Sequence, residues 1–400
     1  MKINDLPIEF KQALPVIDKI NEHGYEAYFV GGSVRDVILN HEIHDVDIAT
    51  SAFPEEIKEI FPRTIDVGID HGTVLVLYEE DQYEITTFRT ESTYQDYRRP
   101  DTVTFVRSLE EDLKRRDFTM NALAMTREGN IIDLFDGIES IHAKEIKAVG
   151  NPDERFSEDA LRMMRALRFA SQLSFDIEEK TEEAISKNHQ LLTKIAIERI
   201  YIEWVKLLMG AERKRGIIPF VETNCFICCP GFSHKKELLV SFANQNPEML
   251  LTSEELAWSC LLIAIEEKHA KTLLGKWKAS KRLSNLVEKV IDCYNERLTS
   301  KWSAKEMYQA GIEVISLVEQ VRDFFGLENN EDELIKAYNQ LPIKSMADLK
   351  VSGRDILAYM DKKPGPWLGR VLKQTEKHVV EGQWKNDKEV LLEKIKEMVG

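Results

Sequence analysis

The chain holds 400 residues, 43% of them hydrophobic, with 54 Lys and Arg against 69 Asp and Glu and a formal net charge of −15. At roughly 150 residues per domain that is two to four domains with room for sizeable cores. No run of about 18 apolar residues occurs and the opening MKINDLPIEF lacks a basic-then-apolar leader, so no membrane partner is expected and a cytoplasmic location is. So acidic a total argues against a nucleic-acid partner, because Lys and Arg make phosphate contacts. Taken by segment the objection lapses: residues 1–150 hold 16 basic and 30 acidic side chains, 151–210 hold 9 and 11, and 211–400 hold 29 and 28.

In chain order, four β-like runs come first, Glu26 to Val30, Asp45 to Thr50, Gly72 to Tyr78 and Gln82 to Phe88, all rich in β-branched and aromatic residues. FPEEIKEIF lies among them as a short helix. Past Gly150 apolar residues recur every three and four positions in SEDALRMMRALRFASQLSF, AIERIYIEWVKLLMG, SEELAWSCLLIAIEEKH and KEVLLEKIKEMV, and no convincing strand appears. Gly210, Pro219, Pro230-Gly231, Pro342 and Pro364-Gly365-Pro366 punctuate these helical groups. The expected architecture is an α+β N-terminal domain, a small mixed sheet with helices, followed by all-α segments. There is no internal repeat or low-complexity tract.

The first chemical signal is AYFV running into Gly31-Gly32-Ser33 and then VRDVIL. Glycines at a strand-to-helix turn let backbone N–H groups approach an anion, and the helix N-terminus favours negative charge. Asp45-Val46-Asp47 follows, opening the next run. On a strand these carboxylates share a face and can hold a pair of Mg²⁺ ions about 4 Å apart, which activate an attacking hydroxyl and stabilise leaving pyrophosphate. Glu84, in YEITTF, is a candidate third carboxylate; a solvated surface acid is the alternative for each of these positions. Lys114-Arg115-Arg116 then offers forked donors to a polyphosphate, and Asn121 enters an apolar run in which a buried amide needs partners.

From Ser157 to Phe169 one helix is expected, with Ser157 as its N-cap and Asp159, Arg162, Arg165 and Arg168 as a stripe at three-residue spacing. Three arginines without intervening acids repel unless an anion lies among them; otherwise the stripe is a solvated basic face. An Asp carboxylate only accepts hydrogen bonds and an Arg only donates. Cytosine and adenine place an amino donor next to a ring-nitrogen acceptor, whereas uracil and guanine present a carbonyl and an N–H there. One Asp/Arg pair can therefore accept C and A and reject U and G.

The motifs GGSVRD with DVDIAT, RRDFTMNALA, EDALRMMRALRFA and AIERIYIEW together resemble the class II tRNA nucleotidyltransferases, the bacterial CCA-adding enzymes of the Gram-positive kind within the polymerase-beta-like nucleotidyltransferase superfamily. The resemblance covers the first 210 residues strongly and returns more loosely in PGPWLGRVL. It implies a head at 1–150, a neck at 151–210 that recognises the base, a helical body at 211–330 and a tRNA-binding tail at 331–400. It also implies Mg²⁺ on Asp45 and Asp47, triphosphate contacts from Gly32, Arg35 and Arg116, base templating by Asp159 and Arg162, and assistance from Arg165 and Arg168. The implied reaction adds C, C and A to tRNA 3′ ends from CTP and ATP; a homodimer is compatible with it. The loop FRTESTYQDYRRPDTVTF is intact, whereas relatives adding only CC lack part of it. Ser33 stands where relatives often carry Ala, and DGIESIHAKEIKAVG departs from the family's hinge motif.

The alternatives are a poly(A) polymerase or a partial CC- or A-adding relative, a small-molecule nucleotidyltransferase, and a non-catalytic RNA-binding adaptor. The intact loop, the long helical region and the paired aspartates disfavour them. Cys225, Cys228 and Cys229 near His234 lack a second Cys pair and are read as free thiols rather than a zinc site. Trp277 and Trp302, among lysines, are left between base stacking and core packing. Lys276, Lys278, Lys281 and Arg282, in a stretch of six bases and one acid at 271–290, are expected to contact tRNA.

Overall fold

The structure is a computed structural model and describes residues 1–68, 72–91 and 103–399. Residues 92–102 of the expected loop lie outside that set. By compactness the chain divides into Met1–Leu250 and Leu251–Gly400.

The first unit opens with α1 (Ile8–Glu22), β1 (Ala27–Val30), α2 (Gly32–Leu39), β2 (Asp47–Thr50), α3 (Pro54–Ile60), β3 (Thr64–Gly68), β4 (Thr73–Tyr78) and β5 (Asp81–Thr87). It continues with β6 (Arg89–Glu91), β7 (Val103–Phe105), α4 (Leu109–Lys114), β8 (Leu123–Met125), β9 (Ile131–Asp133), α5 (Gly137–Ala143) and β10 (Glu145–Ile146). Seven strands form one sheet in the order β3-β4-β5-β2-β1-β8-β9, antiparallel throughout except for the parallel pair β2/β5. The four expected strands are present. The three-residue β8 and β9 were hidden because so short a run carries no period; β8 comes from the apolar stretch after Arg116. Val30, Ala49, Phe88, Leu113 and Ala124 form a core against the sheet, and Phe10 of α1 meets Phe29 edge-to-face at 4.8 Å.

Helices then dominate: α6 (Pro152–Glu158), α7 (Leu161–Leu173), α8 (Glu179–Asn188), α9 (Ile197–Leu208), α10 (Arg213–Glu222) and α11 (Lys236–Asn244). One strand does occur past Gly150, the two-residue β11 (Asp176–Ile177), which pairs in parallel with β10. The single helix expected from Ser157 is two helices. Asn151 caps α6, its side chain accepting from Asp153 N at 3.1 Å, while Ser157 sits inside α6 and donates to the Asp153 carbonyl at 2.8 Å. The chain breaks at Asp159, which is extended (φ −132°, ψ 103°) and whose carboxylate accepts from Leu161 N at 3.0 Å. An Asp side chain competing for a backbone N–H in this way is what ends a helix. Behind α7, Gly216 lets α10 approach closely; a Cβ there would lie 2.6 Å from the Leu167 carbonyl oxygen.

The second unit is helical: α12 (Glu254–Ala264), α13 (Ala270–Lys276), α14 (Lys281–Arg297), α15 (Ala304–Ala310), α16 (Ile312–Phe324), α17 (Glu331–Asn339), α18 (Gly353–Met360), α19 (Pro366–Val380) and α20 (Lys388–Val399). One of its cores gathers Ile343, Val351, Ile356, Val371, Val379, Leu391 and Ile395. Trp277 is fully buried against Trp258 at 5.4 Å, and the Trp302 indole donates to Glu319 at 3.3 Å, so both tryptophans pack. Lys276, Lys278, Lys281 and Arg282 are exposed. Among the described residues no helix is long and apolar enough to cross a membrane.

Candidate active site

A cavity of about 760 Å³ opens where the sheet meets α7 and α9, lined from both sides. Its floor is the glycine turn. Gly31 takes φ +73°, a conformation that favours glycine, and a Cβ on it would lie 3.1 Å from Arg116 Nη1 and 3.7 Å from Asp47 Oδ2, so the turn packs closely against both side chains. Gly32 then starts α2, whose N-terminal amides face this space. Ser33 is buried and donates to the Val30 carbonyl at 3.2 Å, which satisfies the hydroxyl that departs from the family pattern.

On the sheet side Asp47 begins β2 and lines the cavity, whereas Asp45 precedes the strand, so the two carboxylates are not carried on one strand as expected. They are nevertheless neighbours electrically. Burial raises the Asp47 carboxyl above its ordinary range, Arg116 opposes this, and Glu84 and Asp45 reinforce it. Glu84 stands beside Asp47 because β2 and β5 pair in parallel with Ile48 opposite Ile85, and it is exposed while Tyr83 and Ile85 are buried. Among the described residues no three His, Cys, Asp or Glu side chains converge tightly enough to hold a metal by themselves. Oxygen-only donors that repel one another still suit a hard divalent cation.

Arginines and a hub carboxylate join the two sides. Arg35 is buried, pairs with Asp36 at 2.7 Å and donates to Asn121 Oδ1 at 2.8 Å. The Asn121 amide donates in turn to Asp117 at 3.2 Å, which supplies the partners its burial demanded. Asp117 receives Arg165 at 2.6 Å. Burial pushes the Asp117 carboxyl up, but Arg165, the Asn121 amide and Arg162 outweigh that and hold it at about 2. Arg116 pairs with the buried Asp112 at 3.1 Å, and its Nε is buried with no hydrogen-bond partner among the described residues.

The arginine stripe is neither solvated nor free of acids. Arg162 pairs with Glu158 at 2.7 Å and donates to the carbonyls of Arg155 and Arg115. Arg168 pairs with Glu203 at 2.5 Å, lies 3.8 Å from the centre of the Phe169 ring, and does not line the cavity. Glu158 lies one helical turn before Arg162, but Asp117 and Glu203 arrive from the segment after α4 and from α9, which is why local spacing could not show those two. Asp159, Arg162 and Arg165 do line the cavity, along with Gly32, Arg35, Asp47 and Arg116. Sequence reading missed Arg199, which reaches the Asp159 carboxylate from α9 at 2.9 Å. Its signal was available: Arg199 and Glu203, four apart in the apolar run IERIYIEW, are charges that need partners. Cys225 and Cys229 are buried in the first unit, and burial pushes the Cys225 thiol up to about 12.

Residues 27–147 match the family model described as "Poly A polymerase head domain", 174–227 that of an RNA and SrmB-binding site of polymerase A, and 249–395 that of tRNA nucleotidyltransferase domain 2. The chain is 53% identical to the CCA-adding enzyme of Enterococcus faecalis over 98% of this chain and 97% of that one. It is 50% identical to that of Ligilactobacillus salivarius over 100% and 99%. Its fold is similar to the crystal structure of the Bacillus stearothermophilus CCA-adding enzyme in complex with CTP, with a TM-score of 0.90 and 40% identity over 98% of each chain.

Proposed function

The chain belongs to the CCA-adding enzymes, nucleotidyltransferases that add C, C and A to tRNA 3′ ends from CTP and ATP, and on that premise we propose how its residues divide the work. The observation that carries the assignment is the single cavity in which Asp47, the glycine turn, Arg116, Asp159 and Arg162 meet.

Asp45 and Asp47 would hold Mg²⁺, with Glu84 close enough to add negative charge. Mg²⁺ bound there supplies activation of the terminal 3′-hydroxyl and neutralisation of the triphosphate. The amides at Gly32 and the Arg35 and Arg116 guanidinium groups hold the phosphates and orient the α-phosphorus towards the hydroxyl; Arg35, tied to Asn121, also steadies the helix that presents those amides. Asp159 accepts the exocyclic amino group of C or A and Arg162 donates to the neighbouring ring nitrogen. Arg165 and Arg168 act behind them, Arg165 by anchoring α7 to Asp117 and Arg168 by anchoring it to Glu203. No nucleic-acid template is needed, because the protein itself presents the complementary edge. We assign head, neck, body and tail to 1–150, 151–210, 211–330 and 331–400, with tRNA along the helical segments and the enzyme in the cytoplasm with its substrates.

The test is incubation of tRNA transcripts lacking CCA, ending in C, or ending in CC with CTP, ATP or both, followed by sequencing of the ends. Completion to CCA from each start is expected. Runs of A without C would support a poly(A) polymerase, and arrest at CC a partial enzyme.

A further inference from the structure

Asp159 does not touch the Arg162 side chain; it is held by Arg199. Arg199 Nη2 donates to Asp159 Oδ2 at 2.9 Å and Nη1 to Oδ1 at 3.4 Å, a two-pronged contact, and Leu161 N donates to Oδ1 at 3.0 Å. A carboxylate has about four lone-pair directions. Three are filled among the described residues, and the one left is on Oδ2. A forked guanidinium contact is planar, so it fixes the plane in which that direction lies. Both side chains line the cavity and both are largely buried, at 18% exposure for Asp159 and 27% for Arg199. Asp159 sits at the break between α6 and α7, in extended backbone, so the Arg199 fork and the Leu161 N–H rather than a helical backbone hold its side chain.

We infer that Arg199 is a positioning residue for base selection, which rests on the reading of Asp159 as the base acceptor: it orients the Asp159 carboxylate so that a single oxygen direction meets an amino group and opposes a carbonyl. Without Arg199 the carboxylate can rotate about its side-chain bonds and turn its oxygens away from the amino group it must meet. Rejection of U and G then weakens more than acceptance of C and A. A merely structural Arg199, or one that only binds phosphate, would lower the rate with all four nucleotides alike.

The experiment measures kcat and KM for CTP, UTP, ATP and GTP on tRNA lacking CCA, using the wild type, Arg199→Gln, Arg199→Lys and Asp159→Ala, each checked for folding by thermal melting. For Arg199→Gln the CTP-over-UTP ratio of kcat/KM is expected to fall about 10- to 100-fold, as for a lost buried hydrogen-bonding constraint. Arg199→Lys, which keeps the charge but not the fork, is expected to lie between this variant and the wild type. An unchanged ratio in Arg199→Gln, with all four nucleotides slowed equally, overturns the inference while Asp159→Ala still loses discrimination. If Asp159→Ala itself keeps the wild-type ratio, the base-acceptor reading fails first. Should Arg199→Gln not fold, the Arg199→Lys ratio decides: a wild-type ratio there overturns the inference.

Discussion

On the sheet side of the cavity Asp45, Asp47 and Glu84 stand in one another's field with Arg116 to offset them, whereas on the helix side Arg162, Arg165 and Arg168 each have an acid of their own in Glu158, Asp117 and Glu203. The same number of like charges is thus handled in opposite ways. The carboxylates, with Asp47 pushed towards its neutral form by burial and by its acidic neighbours, gain their stabilising charge from what binds, which is where the chemistry belongs. Compensated arginines cannot drift towards a phosphate, and their fixed geometry is what reading a base edge requires. The contrast also explains why Arg168 is absent from the cavity lining although it shares the stripe: its partner, Glu203, lies behind α7.

Removing charge from each side separates the two behaviours. The largest effect is expected on the sheet side: Asp45→Ala lowers both CMP and AMP incorporation by about 1,000-fold or more, the scale of lost metal-assisted transfer. Its melting temperature is expected not to fall, because the substitution relieves repulsion around Asp47; a large drop in melting temperature would erase the contrast. On the helix side the order reverses, with stability affected first. Asp117→Asn leaves Arg165 without its buried partner charge and is expected to destabilise the first unit by about 2 kcal/mol at neutral pH. The Asp117 carboxyl, held at about 2, lies below its unfolded value of 3.8, so its contribution is present above about pH 4 and is lost as pH falls through 2. Denaturant melts should therefore show the gap between wild type and variant narrowing over that interval, and a gap that widens there would contradict the pairing. The smallest effect belongs to the second unit: neutralising Lys276, Lys278, Lys281 and Arg282 should weaken tRNA binding several-fold and flatten its salt dependence, with CTP affinity unchanged. Filter binding at two salt concentrations checks this.

Most of the fold class and the residue types of the site were legible in the sequence because they rest on local signals. AYFV before Gly31-Gly32 is a strand entering a glycine turn, Asp47 opens the next strand, and Glu84 falls on a strand whose alternation exposes it. What was not legible depends on contacts far apart in the chain. The Asp159 carboxylate is met by Arg199, 40 residues away, and two of the acids that neutralise the arginine stripe, Asp117 and Glu203, lie 48 and 35 residues from their arginines, whereas Glu158 is one turn before Arg162. The short β8 was read as part of an amphipathic stretch because three buried residues, Leu123, Ala124 and Met125, carry no period. Asn121 is the instructive middle case: burial in an apolar run implied partners, and only the structure identifies them as Arg35 and Asp117.

The central claim is that one cavity performs two separable tasks, transfer on its sheet side and base selection on its helix side. Equilibrium binding of CTP and UTP to the Asp45→Ala protein, set beside the wild type, tests it most directly. Binding of both nucleotides is expected to weaken in parallel, with the preference for CTP preserved while incorporation is lost. A CTP preference that disappears with the aspartate would show that selection depends on the transfer side, and would contradict the division.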